Sequence, residues 1–277
     1  MSIFHAIVLG IVQGLTEFLP ISSSGHLILV PWVLGWDDFA GDKSLAKTFD
    51  VALHIGTLVA VVAYFWTDLK TYARDGIRKA IHPHQRATRE GRLAWLLLLS
   101  ALPAAAVGAL FEESIDTKLG TIPIIAVSLI VFGIVLWIAD RMPARRDIEQ
   151  YTVRDALIVG AGQALALNPG TSRSGITITT GRFLSFNRDS AARISFLMAI
   201  PVTAGAVVFK LGNLALDGIP SGLIAPMIAG VIAAGVSGWF AVWGTLKLVR
   251  TRSFTPFVVY RIVVGTIVLV VYFTGWR

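Results

Sequence analysis

Pro20-Ile-Ser-Ser-Ser-Gly-His26 and Pro169-Gly-Thr-Ser-Arg-Ser-Gly175 each cut short an apolar helical pattern, residues 3–19 in the first case and 155–167 in the second. The segments around these two loops align without a gap at a shift of 150 residues: Ala6, Gly10, Gln13, Leu15, Ser22, Ser24, Gly25 and Ile28 recur as Ala156, Gly160, Gln163, Leu165, Ser172, Ser174, Gly175 and Ile178. A repeat spaced at about half the chain predicts two structural halves built around two similar loops. The mismatches are equally informative, because Glu17, Ser23 and His26 in the first copy face Leu167, Arg173 and Ile176 in the second. One loop carries an acid, an extra hydroxyl and an imidazole, whereas the other carries a guanidinium.

The surroundings of the loops are membrane-like. Of the 277 residues, 55% are hydrophobic and only 15% charged, and the mean hydropathy is +0.72, too apolar for a water-soluble domain of this size. Apolar stretches at 47–66, 93–111, 122–139, 190–209, 222–243 and 257–274 are each long enough to cross about 30 Å of hydrocarbon as a helix. The helical patterns before the loops are too short, and Pro and Gly stop them. Each short continuation beyond its loop is better suited to returning than to spanning. The expectation is an all-α integral membrane protein: an inverted-topology repeat with six transmembrane helices plus two re-entrant helix–loop–helix hairpins. Its halves, 1–139 and 140–277, each contain a hairpin and three spans within one membrane domain. The first residues lack a charged leader followed by a cleavage pattern, so 1–19 reads as mature structure.

A formal charge of +7 suggests nucleic acid only until the charges are located, and no nucleic acid partner is expected. Lys70, Arg74, Arg78, Lys79, Arg86, Arg89 and Arg92 lie in one connector, Arg141, Arg145, Arg146 and Arg154 in a second, and Lys247, Arg250 and Arg252 in a third. These connectors are cytoplasmic by the positive-inside rule. Asp37, Asp38, Asp42, Glu112, Glu113, Asp116 and Asp217 then face outward. The 68–92 segment, with His82-Pro-His84, reads as a solvated connector. With this orientation the first Ser-rich hairpin enters from the outer face and the second from the inner face. Irregular backbone at membrane depth needs cover from protein or a wet cavity, so the two loops should meet near the midplane. The absence of cysteine excludes disulfides and thiolate metal sites.

The polar residues near that meeting point are the candidate site. Gln13 and Glu17, four residues apart, share one helix face, and a carboxylate at hydrocarbon depth requires a cation, a donor or a metal. Ser22, Ser23, Ser24 and Gly25 can present hydroxyls and backbone N–H groups to an anion, helped by the next helix N-terminus. His26 can serve as a general acid or base near neutral pH. Ser172, Arg173, Ser174, Gly175 and Thr177 form the opposite wall, where an always-charged guanidinium seeks a carboxylate or a phosphate.

These segments, together with Ser253-Phe-Thr-Pro-Phe-Val-Val-Tyr260-Arg261 at the start of the last span, resemble the signatures of the bacterial undecaprenyl-diphosphate phosphatases of the bacitracin-resistance type. The resemblance covers the whole chain. Two positions depart from it: Gln13 stands where some members have Glu, and Asn168 where an aromatic residue is familiar. The family resemblance implies a multi-pass enzyme of the bacterial inner (plasma) membrane that removes the terminal phosphate of a C55 isoprenyl diphosphate, recycling the lipid carrier for peptidoglycan synthesis.

On this reading the site opens toward the outer, periplasmic side and the lipid tail lies among the spans. Ser23 is the expected nucleophile, with Glu17 or His26 as its base; the residues are equally compatible with a covalent phosphoserine and with direct attack by water. Arg173 stabilises charge on the phosphoryl oxygens, and a divalent cation, Mg²⁺ or Ca²⁺, bridges Glu17 to the diphosphate. Gln13, Ser22, Ser24, Gly25, Ser172, Ser174, Gly175 and Thr177 bind substrate. The alternative is a transporter or flippase of an anionic isoprenoid lipid, since inverted repeats with broken helices are also transporter architecture. Small residues such as Gly230-x-x-x-Ala234 are compatible with packing within the chain or in a homodimer.

Overall fold

A computed structural model describes residues 1–276 apart from Pro83, Gln85, Leu119 and 218–220, and their side chains apart from those of Lys43, 111–118 and 209–221. The side chains of Glu112, Glu113, Asp116 and Asp217, expected to face outward, therefore lie outside the described residues. The described chain is helical: α1 (Ile3–Phe18), α2 (Ser23–Leu34), α3 (Lys43–Tyr64), α4 (Trp66–Ile81), α5 (Arg89–Lys118), α6 (Ile122–Asp140), α7 (Val153–Ala164), α8 (Arg173–Phe183), α9 (Arg188–Asp217), α10 (Ser221–Val249) and α11 (Thr255–Phe273). Six of them, α3, α5, α6, α9, α10 and α11, are long and apolar enough to cross a membrane, and they coincide with the six stretches anticipated from sequence. The protein is a multi-pass membrane protein.

The short helices form two broken pairs. α1 ends at Phe18 and α2 begins at Ser23. α7 continues into a single 3₁₀ turn, Leu165–Leu167, before α8 begins at Arg173. The breaks have the same local cause. Ser22 and Ser172 adopt positive φ, 79° and 76°, a left-handed conformation that costs a non-glycine residue about 1–2 kcal/mol. Each serine then caps the helix it precedes, accepting the N–H of Gly25 at 3.3 Å or of Gly175 at 3.0 Å.

Packing places the two pairs on opposite partners. α1 lies along α10 and α3, while α7 lies along α5 with α8 against α9; α6 packs on α11, and α3 on α9. Glycines permit these approaches. A Cβ on Gly10 would fall 2.3 Å from the Gly230 carbonyl oxygen, and one on Gly160, its repeat counterpart, 2.5 Å from that of Ser100. The Gly230-x-x-x-Ala234 stripe is thus filled inside the chain, with Ala234 fully buried and Gly56 of α3 closing on Val231 and Ala234.

One expected connector is structured. Much of the 68–92 segment forms α4, an amphipathic helix docked on α5. Its dense charges, seen in one dimension, conceal the buried face carrying Asp75 and Gly76.

Candidate active site

The two breaks meet. Ser22 Oγ accepts a hydrogen bond from the Gly170 N–H at 3.0 Å, and Ser174 Oγ donates to the Leu19 carbonyl at 3.0 Å. Positive φ at Ser22 and Ser172 turns the chain so that Ser23 and Arg173 are each the first residue of a helix. The two residues unique to their loops therefore emerge at two helix N-termini, whose partial positive ends favour an anion.

Glu17 joins them. Its Oε2 accepts from Ser23 Oγ at 2.6 Å and from Gln13 Nε2 at 3.1 Å, while its Oε1 accepts from Arg173 Nη2 at 2.6 Å. Glu17 is only 6% exposed, and a carboxylate buried to that degree loses several kcal/mol of hydration. The guanidinium and two further donors offset that loss. Arg173 contacts the carboxylate through one nitrogen, and its buried Nη1 has no hydrogen-bond partner among the described residues. Half of its fork remains available for a second anion. The amide oxygen of Gln13 is likewise buried without a partner.

His26 belongs to the same loop but faces a different neighbour. Its Nδ1 lies 2.7 Å from the Ser22 carbonyl, so that nitrogen carries the proton and donates. Nε2 lies 2.9 Å from the Tyr260 hydroxyl, and the two rings stack at 17° with centroids 5.6 Å apart. Of the two candidate bases, Glu17 is the one in hydrogen-bond contact with Ser23.

Several expected substrate contacts are occupied within the protein. Ser22 and Ser172 are buried caps, and Ser174 is held by Leu19. Gly25 and Gly175 give their N–H groups to those caps. Thr177 Oγ1 lies 2.8 Å from the Arg173 carbonyl and 2.7 Å from Ser195 Oγ, positioning the Arg173 turn. Ser24 is exposed beside the site. Asn168 donates to Ser128 Oγ at 2.8 Å and to Thr171 Oγ1 at 3.2 Å, tying the second loop to α6.

Three residues near the site escaped the reading of the sequence as contributors. His54 of α3 places Nε2 3.7 Å from Glu17 Oε2, and Tyr260 partners His26. Arg261, fully buried, is the third. Its Nη1 donates to the Pro20 carbonyl at 3.0 Å; Nη2 reaches Gly170 at 2.9 Å, Thr171 at 3.0 Å and Ser128 at 3.3 Å; Nε donates to Leu129 at 3.0 Å. One guanidinium thereby holds both loops and α6. The available signal was a charged residue well inside an apolar span, a position at which charge is expensive and purposeful.

The chain is similar to known proteins along nearly its whole length. The family model described as bacitracin resistance protein BacA matches residues 6–267. A protein named undecaprenyl-diphosphatase from Pelobacter propionicus is 47% identical over 277 residues, covering 99% of both chains. The undecaprenyl-diphosphatase of Geobacter sulfurreducens is 46% identical across 97% of this chain and 98% of its own. That of Pelotomaculum thermopropionicum is 43% identical across 98% and 97%. With a family model spanning both loops and relatives this similar along their whole length, the chain belongs to the bacitracin resistance protein BacA family.

Proposed function

We propose that the protein hydrolyses undecaprenyl diphosphate to undecaprenyl phosphate and inorganic phosphate, recycling the lipid carrier for peptidoglycan synthesis. The relatives bearing that activity's name support the substrate, and the Ser23–Glu17–Arg173 constellation supports the chemistry. The carrying observation is the 2.6 Å hydrogen bond from Ser23 to a carboxylate whose other oxygen is paired with Arg173. A serine so placed has a base at hand and a cation beside the position where phosphoryl charge accumulates.

In the proposed reaction Ser23 Oγ passes its proton to Glu17 and attacks the terminal phosphorus. The bond from that phosphorus to the bridging oxygen breaks, and the lipid monophosphate departs with the electron pair. Glu17 gives that proton to the departing lipid phosphate. Water then attacks the phosphorus of the phosphoserine, passing a proton to Glu17; the P–Oγ bond breaks, and Ser23 Oγ takes the proton back as inorganic phosphate leaves. Arg173 uses its unpartnered Nη1 on the equatorial oxygens. The helix N-termini at Ser23 and Arg173 add their positive ends. His26, its Nδ1 proton donated to the Ser22 carbonyl and its Nε2 accepting from Tyr260, holds the first loop in place.

Glu17 and the unpartnered amide oxygen of Gln13 form a hard-oxygen pair that fits Mg²⁺ or Ca²⁺, whose remaining ligands would come from the diphosphate. When bound, such an ion supplies neutralisation of diphosphate charge. Among the described residues no cluster of three or more His, Cys, Asp or Glu could hold a metal alone.

The proposal includes an inverted repeat, 1–139 and 140–277, with α1–α2 and α7–α8 as re-entrant hairpins, an inner-membrane location and a site open to the periplasmic side. Exchange of partners supports it: α1 on α10 is matched by α7 on α5, and α3 on α10 by α9 on α5, as a two-fold axis in the membrane plane requires. The basic connectors support the orientation.

The test is phosphate release by the purified full chain in detergent, where no compartment exists to transport between. Release of one phosphate per C55 diphosphate consumed is expected. A chain that binds the lipid without releasing phosphate would favour the transporter reading instead.

A further inference from the structure

α4 does not span the membrane, yet it presents to the outside the two chemistries that meet at a membrane surface. It connects the end of α3 at Tyr64 to the start of α5 at Arg89, so it lies where two spans leave the hydrocarbon. Its inner side is fully engaged. Gly76 closes on Ala94, and its carbonyl accepts from Trp95 Nε1 at 3.1 Å. Asp75 accepts from Thr88 at 3.0 Å, and Asp68 pairs with Arg193 of α9 at 3.0 Å.

The outer side carries another chemistry. Residues 66, 73, 77 and 81 follow the spacing of one helix face. Trp66, Ile77 and Ile81 on it are 56%, 59% and 66% exposed. Beside this row, Lys70, Arg74 and Arg78 are spaced by four and all exposed; Arg74 Nε also donates to Asp75 at 2.8 Å while its side chain stays 73% exposed. Lys70 Nζ stands 5.8 Å from the Trp66 ring centre, so the two rows adjoin. The acids of the helix, Asp68 and Asp75, belong to the engaged side. An exposed tryptophan-and-isoleucine row beside an exposed basic row is the pattern of a helix lying in the headgroup layer.

We propose that this face of α4 is a binding surface for anionic phospholipids of the leaflet on which it lies. Trp66, Ile77 and Ile81 enter the boundary between headgroups and acyl chains, and Lys70, Arg74 and Arg78 meet the lipid phosphates. A basic residue near an anionic membrane surface contributes about fivefold in affinity, so three should give a strong preference over zwitterionic lipid. The site is separate from the catalytic loops and does not depend on the proposed reaction.

The experiment is native mass spectrometry of the purified full chain titrated with equal amounts of phosphatidylglycerol and phosphatidylcholine. The wild type should retain phosphatidylglycerol preferentially. K70Q/R74Q/R78Q should weaken that binding at least about tenfold while leaving phosphatidylcholine unchanged, with normal elution and phosphate release. R141Q/R145Q/R252Q, which removes equal charge elsewhere, should bind as the wild type does. Should the α4 triple variant fail to fold, K70Q alone gives the same reading at about fivefold. Equal retention of the two lipids by the wild type would overturn the proposal. So would undiminished phosphatidylglycerol binding in the α4 variants, or an equal loss in both triple variants.

Discussion

Glu17 is divided between a serine six residues away and an arginine 156 residues away, and that division sets the outcome of substitution at each partner. Arg173 gives one nitrogen to Glu17 and keeps Nη1 unpartnered. A lysine would retain the charge but present a single ammonium in place of a planar fork. Arg173→Lys should therefore lower kcat/KM for phosphate release by at least about tenfold with membrane expression intact. Turnover near the wild-type rate would reduce Arg173 to a point charge. Ser24 makes the opposite case. It is exposed, with its hydroxyl 3.5 Å from that of Ser22, and Ser24→Ala should retain activity within about threefold, as surface hydroxyls outside the reacting set do.

Among the elements, α11 has the greatest influence on the loops. Tyr260 and Arg261 are neighbours in sequence, and they hold His26 and the two breaks respectively. Arg261→Met would leave buried carbonyls of Pro20, Leu129, Gly170 and Thr171 without this donor, at about 1–3 kcal/mol for each group left unsatisfied. Thermal unfolding in detergent should shift several degrees downward, and an unchanged midpoint would deny Arg261 its holding role. What was legible in sequence follows from the same distinction between local and distant causes. The helix breaks at Pro20 and Pro169 and the six apolar stretches are local patterns, and they appear where composition places them. That Ser23, Glu17 and Arg173 meet was legible because the repeat mismatches single them out. The contacts of His54 and Arg261 were not, because each depends on a partner distant in sequence, 241 residues away for Arg261 and Pro20. α4 was missed for another reason. A surface helix with a narrow buried side has no apolar run long enough to distinguish it from a charged connector.

For the molecule as a whole, the two similar loops differ where Glu17, Ser23 and His26 face Leu167, Arg173 and Ile176. Their orientation can be checked directly because the chain contains no cysteine. A cysteine at Asp37 should react with an impermeant reagent applied to intact cells, and one at Arg86 should not. The reverse pattern would invert the proposed topology. The central claim is that the repeat keeps Ser22, Ser24, Ser172 and Ser174 for shared loop architecture and opposes the unique Ser23 to the unique Arg173 across a common site. Phosphate release from a C55 diphosphate by Ser23→Ala tests it most directly, beside Ser22→Ala and Ser24→Ala. The account predicts that Ser23→Ala is reduced by about a thousandfold or more, whereas loss of a cap in Ser22→Ala or of a surface hydroxyl in Ser24→Ala costs far less. Substantial activity in Ser23→Ala, with all three proteins folded in the membrane, would contradict serine attack and with it the reading of the two halves.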